Sequence, residues 1–318
     1  MNRLALLIPA RDAASVLPRL LESADQDGGF DEILVYDDAS SDGTGGVARR
    51  AGARVIRTDV NTGPSIGKNK LAALATSEWL HFHDADDALA PDFVDRTRQW
   101  IALDGCDALL FGTEDRDDRT GAVLGRRTWD DAELRTDAVR YHIVNTVTNC
   151  GVYRRDRFVA AGGFDSDPAT KYNEDQAMHL RLAFAGLRFR ADESTGVIIY
   201  RRAGSMSSGR PVDCARAQVE VLARAAARTG ARYRDEIGSR LWRLAGVCGG
   251  FQDWVFVDRC LKLAAEIGYG DPKNEHWLVR ALAAVDATTA VRIRERLIRL
   301  LKPGLREGMP VVEAGKGR

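Results

Sequence analysis

The chain has 318 residues, sets 46 Lys and Arg against 46 Asp and Glu, and is 45% hydrophobic and 7% aromatic. That much apolar material at zero formal charge excludes wholesale disorder, and the length suggests two domains at roughly 150 residues each. Zero net charge also argues against a protein that coats nucleic acid, because such binding rests on surplus cations neutralising phosphates. The basic residues are 39 Arg to 7 Lys, a bias expected of a GC-rich coding sequence, with some of the arginines still suited to bidentate phosphate contacts.

The start, Met1 to Pro9, holds one charge and a short apolar run closed by proline, and reads as a first strand and not as a signal peptide. Further strand candidates are Glu32 to Tyr36, Arg54 to Arg57, Trp79 to His83 and Ala108 to Phe111. Amphipathic segments lie between them at Ser15 to Ala24, Gly43 to Arg50 and Pro64 to Ala75. This alternation predicts an α/β fold with a mostly parallel, Rossmann-like sheet flanked by helices. From Pro211 onward the pattern changes to long helices, at Ala215 to Arg228, Ile237 to Val247, Trp254 to Ile267, His276 to Val285 and Thr288 to Lys302. The expected domains are therefore 1–210, a nucleotide-binding and catalytic unit, and 211–302, a helical C-terminal region. Residues 303–318 read as a disordered tail.

Cys106, Cys150, Cys214, Cys248 and Cys260 are scattered without a CxxC pair. They read as reduced thiols of a cytoplasmic protein. No stretch approaches the roughly 20 apolar residues needed to cross a bilayer.

In open parallel sheets ligands bind beyond the carboxyl ends of the strands. Here those ends carry Pro9-Ala10-Arg11-Asp12, Asp37-Asp38-Ala39-Ser40-Ser41-Asp42-Gly43-Thr44, Asn61-Thr62-Gly63 with Lys68-Asn69, and His83-Asp84-Ala85-Asp86-Asp87. If the chain stays extended past the fourth strand, Asp84 and Asp86 project to one side. Two carboxylates so placed repel unless a cation or donors lie between them. A hard ion such as Mg2+ or Mn2+ suits oxygen ligands and completes its shell with water and substrate phosphates. The plainer alternative is that Asp86 and Asp87 cap the next helix. His81 and His83 could reach the same ion, but a strand histidine is more often structural.

Taken together, these segments resemble family-2 inverting glycosyltransferases with the GT-A fold, in the family's order and spacing. Thr148-Asn149-Cys150-Gly151, then Gly162-Gly163-Phe164-Asp165 and Asn173-Glu174-Asp175, resemble the family's acceptor region. The resemblance covers about residues 4 to 210. It implies transfer of a sugar from a nucleotide diphosphate donor, commonly a UDP-sugar, to an acceptor hydroxyl, with Mn2+ or Mg2+ as cofactor. Carried over by position, Pro9, Ala10, Arg11 and Asp38 would hold the nucleoside, and Lys68 would lie near the diphosphate. Asp84 would contact ribose or sugar, Asp86 would ligate the metal, Glu174 and Asn149 would face the acceptor, and Asp175 would be the catalytic base.

A departing diphosphate develops negative charge that cations stabilise, and single-step inversion needs a base on the opposite face. One departure stands out: relatives often carry a His in the loop that here reads Tyr200-Arg201-Arg202-Ala203-Gly204-Ser205-Met206-Ser207. Arg201 or Arg202 could grip the diphosphate instead, with Gly204 and Ser207 lending the loop freedom.

Ile293, Leu297, Leu300 and Leu301 share helical spacing, with Arg292, Arg296, Arg299 and Lys302 toward the other side. The ordinary reading packs this apolar stripe on the domain. The competing one lays 288–302 on the inner membrane face, near a glycan or lipid-linked glycan acceptor. Three alternative functions are weighed: a catalytically silent nucleotide-sugar or glycan-binding protein, a sugar nucleotidyltransferase, and a dehydrogenase. The second lacks its glycine-rich loop after the first strand, and the third lacks GxGxxG.

Overall fold

The computed structural model describes residues 2–25, 29–202, 209–270, 272–273 and 275–312. The chain divides into two compact units. The first comprises Met1–His142, Thr146–Ser166 and Glu174–Ser205. It holds a nine-stranded sheet of β1 (Leu4–Ala10), β2 (Glu32–Asp38), β3 (Arg54–Thr58), β4 (Trp79–Phe82), β5 (Ala88–Leu89), β6 (Ala108–Asp117), β7 (Val123–Arg127), β8 (Gly151–Arg154) and β9 (Phe189–Arg201).

The strand order is β3-β2-β1-β4-β8-β6-β9-β5, with β7 beside β6. The first four lie parallel. β8 enters antiparallel to both β4 and β6. A long parallel pair then runs from Ala108↔Phe189 to Asp117↔Arg201, which carries β6 well past the expected Phe111.

β1 shows why the central strands read as unbroken apolar runs. Ala5 and Leu7 face a core with Leu34, Tyr36, Leu80 and Phe82, while Leu4, Leu6 and Ile8 face another with Leu17, Leu20 and Val35. Successive side chains point to opposite faces, and both faces are covered.

Helices Leu17–Ala24, Thr44–Arg50 and Pro64–Leu74 follow β1, β2 and β3. The third begins after Gly63 at φ 86°, a left-handed conformation that glycine adopts freely, with Pro64 at its first position. It also presses on β2: a Cβ added at Gly67 would stand 2.6 Å from Tyr36 Cδ1.

The second unit comprises Ile143–Asn145, Asp167–Asn173 and Met206–Arg318. Its described residues include the helices Pro211–Thr229, Arg234–Gly250, Trp254–Glu266, Trp277–Ala283 and Ala287–Leu301. Leu222, Ile237, Leu241, Val257 and Cys260 are buried among them. The last helix overturns the packing expected of it. Its buried side carries Ala290, Val291 and Glu295, whereas Leu300 is 77% and Leu301 71% exposed. Glu295 is buried because Arg299 and Arg306 both pair with it. In the tail, Pro303–Leu305 forms a 3-10 turn and Val312 N donates to Phe251 O at 2.8 Å; residues 313–318 lie outside the described set. Among the described residues no helix is long and apolar enough to cross a membrane.

Candidate active site

The carboxyl ends of β1 and β2 are laced by short polar side chains. Asp12, in the left-handed region at φ 47°, accepts from Ser41 N at 2.7 Å and Ser41 Oγ at 3.0 Å. Ala13 N donates to Thr44 Oγ1 at 2.8 Å. Pro9 and Ala10 pair in register with Tyr36 and Asp37, while Arg11 is exposed, 3.6 Å from Asp12.

Both aspartates at the end of β2 are engaged by the protein. Asp37 is buried against Arg57 Nη1 at 2.6 Å. Asp38 accepts from Thr62 N at 2.7 Å and Gly63 N at 2.8 Å, so it fixes the approach to the third helix.

Lys68 rises from that helix into the interior. Its Nζ lies 3.5 Å from Asp84 Oδ1, 3.6 Å from Asp175 Oδ1 and 4.8 Å from the centre of the Phe164 ring. Burial alone would favour the neutral amine, but Asp84 and Asp175 outweigh it and hold Lys68 above the usual ammonium range. Its neighbour Asn69 pins the Gly162-Gly163-Phe164-Asp165 turn: Asn69 Nδ2 donates to Phe164 O and Phe164 N donates to Asn69 Oδ1, both at 2.9 Å. Adjacent residues of one helix thus supply the cation and place the ring beside it.

The chain does not stay extended after β4. Asp87 N donates to Asp84 O at 3.2 Å and closes a turn, so the expectation that Asp84 and Asp86 share one side is corrected. Asp84 faces Lys68, whereas Asp86 Oδ2 accepts from Arg202 Nη2 at 2.7 Å. Burial raises the Asp86 carboxyl, Asp84 adds to this, and Arg202 opposes it. Asp87 is buried and accepts from Tyr200 N at 2.9 Å. Arg201 turns away to Asp115 at 2.7 Å. Gly204 and Ser207 lie outside the described residues.

Asp175 stands at the start of helix Glu174–Phe184. Its Oδ2 accepts from Asn149 N at 3.0 Å, while Oδ1 is buried without a hydrogen-bond partner. Both side-chain amide atoms of Asn149 are likewise buried and unpartnered. Burial raises the Asp175 carboxyl and Lys68 pulls it back. Glu174 is pushed up to about 7, chiefly by burial, with Asp175 adding and Lys68 opposing.

His81 and His83 are not with the carboxylates. His81 Nδ1 lies 2.9 Å from Gly151 O and its Nε2 2.9 Å from His83 Nδ1. Burial drives both rings toward the neutral form, His83 to about 3.

Among the described residues no three His, Cys, Asp or Glu side chains gather as a ready metal cage. The oxygen-only, partly exposed carboxylate of Asp86 fits a divalent ion that takes its other ligands from a diphosphate and water. Sequence reasoning missed Arg19, whose guanidinium reaches the same turn by donating to Asp86 O. A lone arginine in an amphipathic helix carries no motif that would reveal this.

Residues 5–159 match Glycosyl transferase family 2. The chain is 26% identical over 229 residues to the succinoglycan biosynthesis protein ExoU of Rhizobium meliloti, covering 66% of each chain. It spans 30% and 24% of the length of two further curated relatives. Among solved structures, Staphylococcus aureus TarS 1-349 in complex with UDP-GlcNAc is 17% identical, with TM-score 0.61 over 94% of this chain and 92% of that one. The mannosyltransferase PcManGT of Pyrobaculum calidifontis, in complex with GDP-Man and Mn2+, is 18% identical, with TM-score 0.59 over 95% and 81%.

Proposed function

We propose that this chain, which belongs to glycosyl transferase family 2 and has the GT-A fold, transfers a sugar from a nucleotide diphosphate donor to an acceptor hydroxyl with inversion. The donor we favour is a UDP-sugar, as in the TarS complex, and the process polysaccharide or glycoconjugate synthesis, as the name of the succinoglycan relative suggests.

One observation carries this reading. Asp175 has one oxygen fixed by Asn149 N and the other buried without a hydrogen-bond partner, facing Lys68. A buried acceptor atom left unsatisfied marks a place for an incoming donor, and an acceptor hydroxyl supplies one. In this reading Asp175 Oδ1 takes the hydroxyl proton as the sugar bond forms, and Lys68 keeps the carboxyl ionised beforehand. Asp84, on the other side of Lys68, faces the donor sugar or ribose. The unpaired Asn149 amide, with Glu174, orients the acceptor. Pro9, Ala10, Arg11 and Asp38 form the nucleoside side, with Asp38 acting chiefly through the Thr62-Gly63 backbone it holds.

Asp86 would hold Mn2+ or Mg2+, which supplies positive charge beside the departing diphosphate when bound. Arg202, which pairs with Asp86 Oδ2, would add its own positive charge beside the same diphosphate. The exposed Leu300 and Leu301 near Arg296 and Lys302 favour peripheral contact with an anionic inner membrane face, from the cytoplasm, where a lipid-linked glycan would be met.

The test is thermal stabilisation by UDP, GDP and their sugars with Mn2+ or with EDTA. A shift produced by UDP and a UDP-sugar only with metal supports the reading. No shift with any nucleotide, or equal shifts in EDTA, opposes it.

A further inference from the structure

The helix Leu17–Ala24 buries Leu17, Leu20, Leu21 and Ala24. Position 19 lies off that stripe, where an arginine ordinarily extends into water. Arg19 does otherwise. Its guanidinium lies 3.5 Å from the centre of the Tyr200 ring, Nη1 donates to Asp118 Oδ1 at 2.8 Å, and Nη2 donates to the backbone carbonyl of Asp86. The Nε atom is buried without a partner. Taking a guanidinium out of water is costly unless its donors are used, and two hydrogen bonds plus a ring face fix the plane of this one.

What Arg19 grips is the main chain of the turn, not the carboxylate. The same turn is tied a second time to the same strand end, because Asp87 Oδ1 accepts from Tyr200 N at 2.9 Å. Asp86 is thereby held from behind through its carbonyl, leaving its carboxylate oxygens to face Arg202 and the site. The Asp118 contact brings in the end of β6. Three segments distant in sequence meet at one side chain.

We infer that Arg19 is a positioning residue: it clamps the Asp84–Asp87 turn against Tyr200 and Asp118, and so sets the direction of the metal-binding carboxylate of Asp86. This rests on the reading of Asp86 as a metal ligand. Outer partners that orient a ligand typically change metal affinity about 10–100-fold, and the Arg19 clamp falls in that class.

The experiment measures the Mn2+ concentration that half-saturates UDP binding, by calorimetry, for wild type, Arg19→Met, Arg19→Lys, Asp118→Asn and Asp86→Asn, with melting temperatures alongside. Arg19→Met is expected to raise that concentration about tenfold or more, with Arg19→Lys and Asp118→Asn raising it less. A folded Arg19→Met protein with the wild-type Mn2+ requirement, set against an Asp86→Asn protein that has lost metal-dependent binding, overturns the positioning role alone. So does a lowered melting temperature across the Arg19 and Asp118 variants with no change in Mn2+ requirement. If Asp86→Asn keeps the wild-type requirement, the metal reading itself fails.

Discussion

Lys68 Nζ lies 3.6 Å from Asp175 Oδ1, an oxygen that accepts no hydrogen bond. Burial and the anionic Asp84 push that carboxyl up, and Lys68 pulls it down. Lys68 is therefore the group that keeps the proposed base ionised. Burial already raises the Asp175 carboxyl and Lys68 lowers it, so removing the cation must raise it further. Lys68→Met is expected to move the acid limb of kcat/KM upward by about 1 pH unit or more, with activity lost first at low pH and Lys68→Arg restoring most of it. An unmoved acid limb in a folded Lys68→Met protein would contradict the assignment.

Gly67 sets a competition between local and tertiary preference. Alanine is favoured over glycine inside a helix by about 1 kcal/mol, but here its Cβ would stand 2.6 Å from Tyr36 Cδ1. Tyr36 cannot easily yield, since its hydroxyl lies 3.0 Å from Thr62 Oγ1 and accepts from Lys70 Nζ at 3.1 Å. Overpacking of this kind costs about 1–3 kcal/mol, so Gly67→Ala should be destabilising overall. Urea unfolding of the two proteins checks the sign, and a higher midpoint for the variant would show that the strand gives way.

The last helix offers a surface prediction. Arg292 lies over the Trp254 ring and Arg299 pairs with Glu295, while Arg296 and Lys302 are exposed, as are Leu300 and Leu301. Reversing both charges removes attraction of about 1 kcal/mol for each residue replaced. Flotation with anionic vesicles should then fall steeply for Arg296→Glu/Lys302→Glu while neutral vesicles show no difference. Wild type and variant floating alike would sink the membrane contact.

The first half of the sheet was legible in the sequence because β1, β2 and β4 are largely buried on both faces and the partly buried edge strand β3 still carries Val55 and Ile56, each strand being followed by a turn rich in Gly, Pro, Asp or Ser. β5 has two residues, β7 is largely exposed, and β9 opens with the charged run Phe189-Arg190-Ala191-Asp192-Glu193. β5 and β7 show neither alternation nor a sustained apolar run, the apolar Val197-Ile198-Ile199-Tyr200 of β9 lies behind that charged stretch, and pairing with distant partners is a property of the folded sheet. The site follows the same division. Asp84, Asp86 and Asp175 are visible as residue types in motifs, but the relation of Asp84 to Asp175 through Lys68 spans three separate segments. The turn that sends Asp84 and Asp86 to different partners is closed by Asp87 N on Asp84 O and tied to Arg19 and Tyr200, contacts with distant segments that no local pattern announces. Arg19 was illegible for the same reason: its partners Tyr200 and Asp118 come from the far ends of β9 and β6.

The central claim is that Asp175 is the base and that the donor site is built independently of its charge. Asp175→Asn preserves the shape of the side chain and removes the proton acceptor. With Mn2+ saturating, calorimetric donor affinity should stay near wild type, while transfer to acceptor at saturating UDP-sugar falls about 10²–10⁴-fold. Transfer at the wild-type rate in a folded Asp175→Asn protein that binds donor normally would contradict the account.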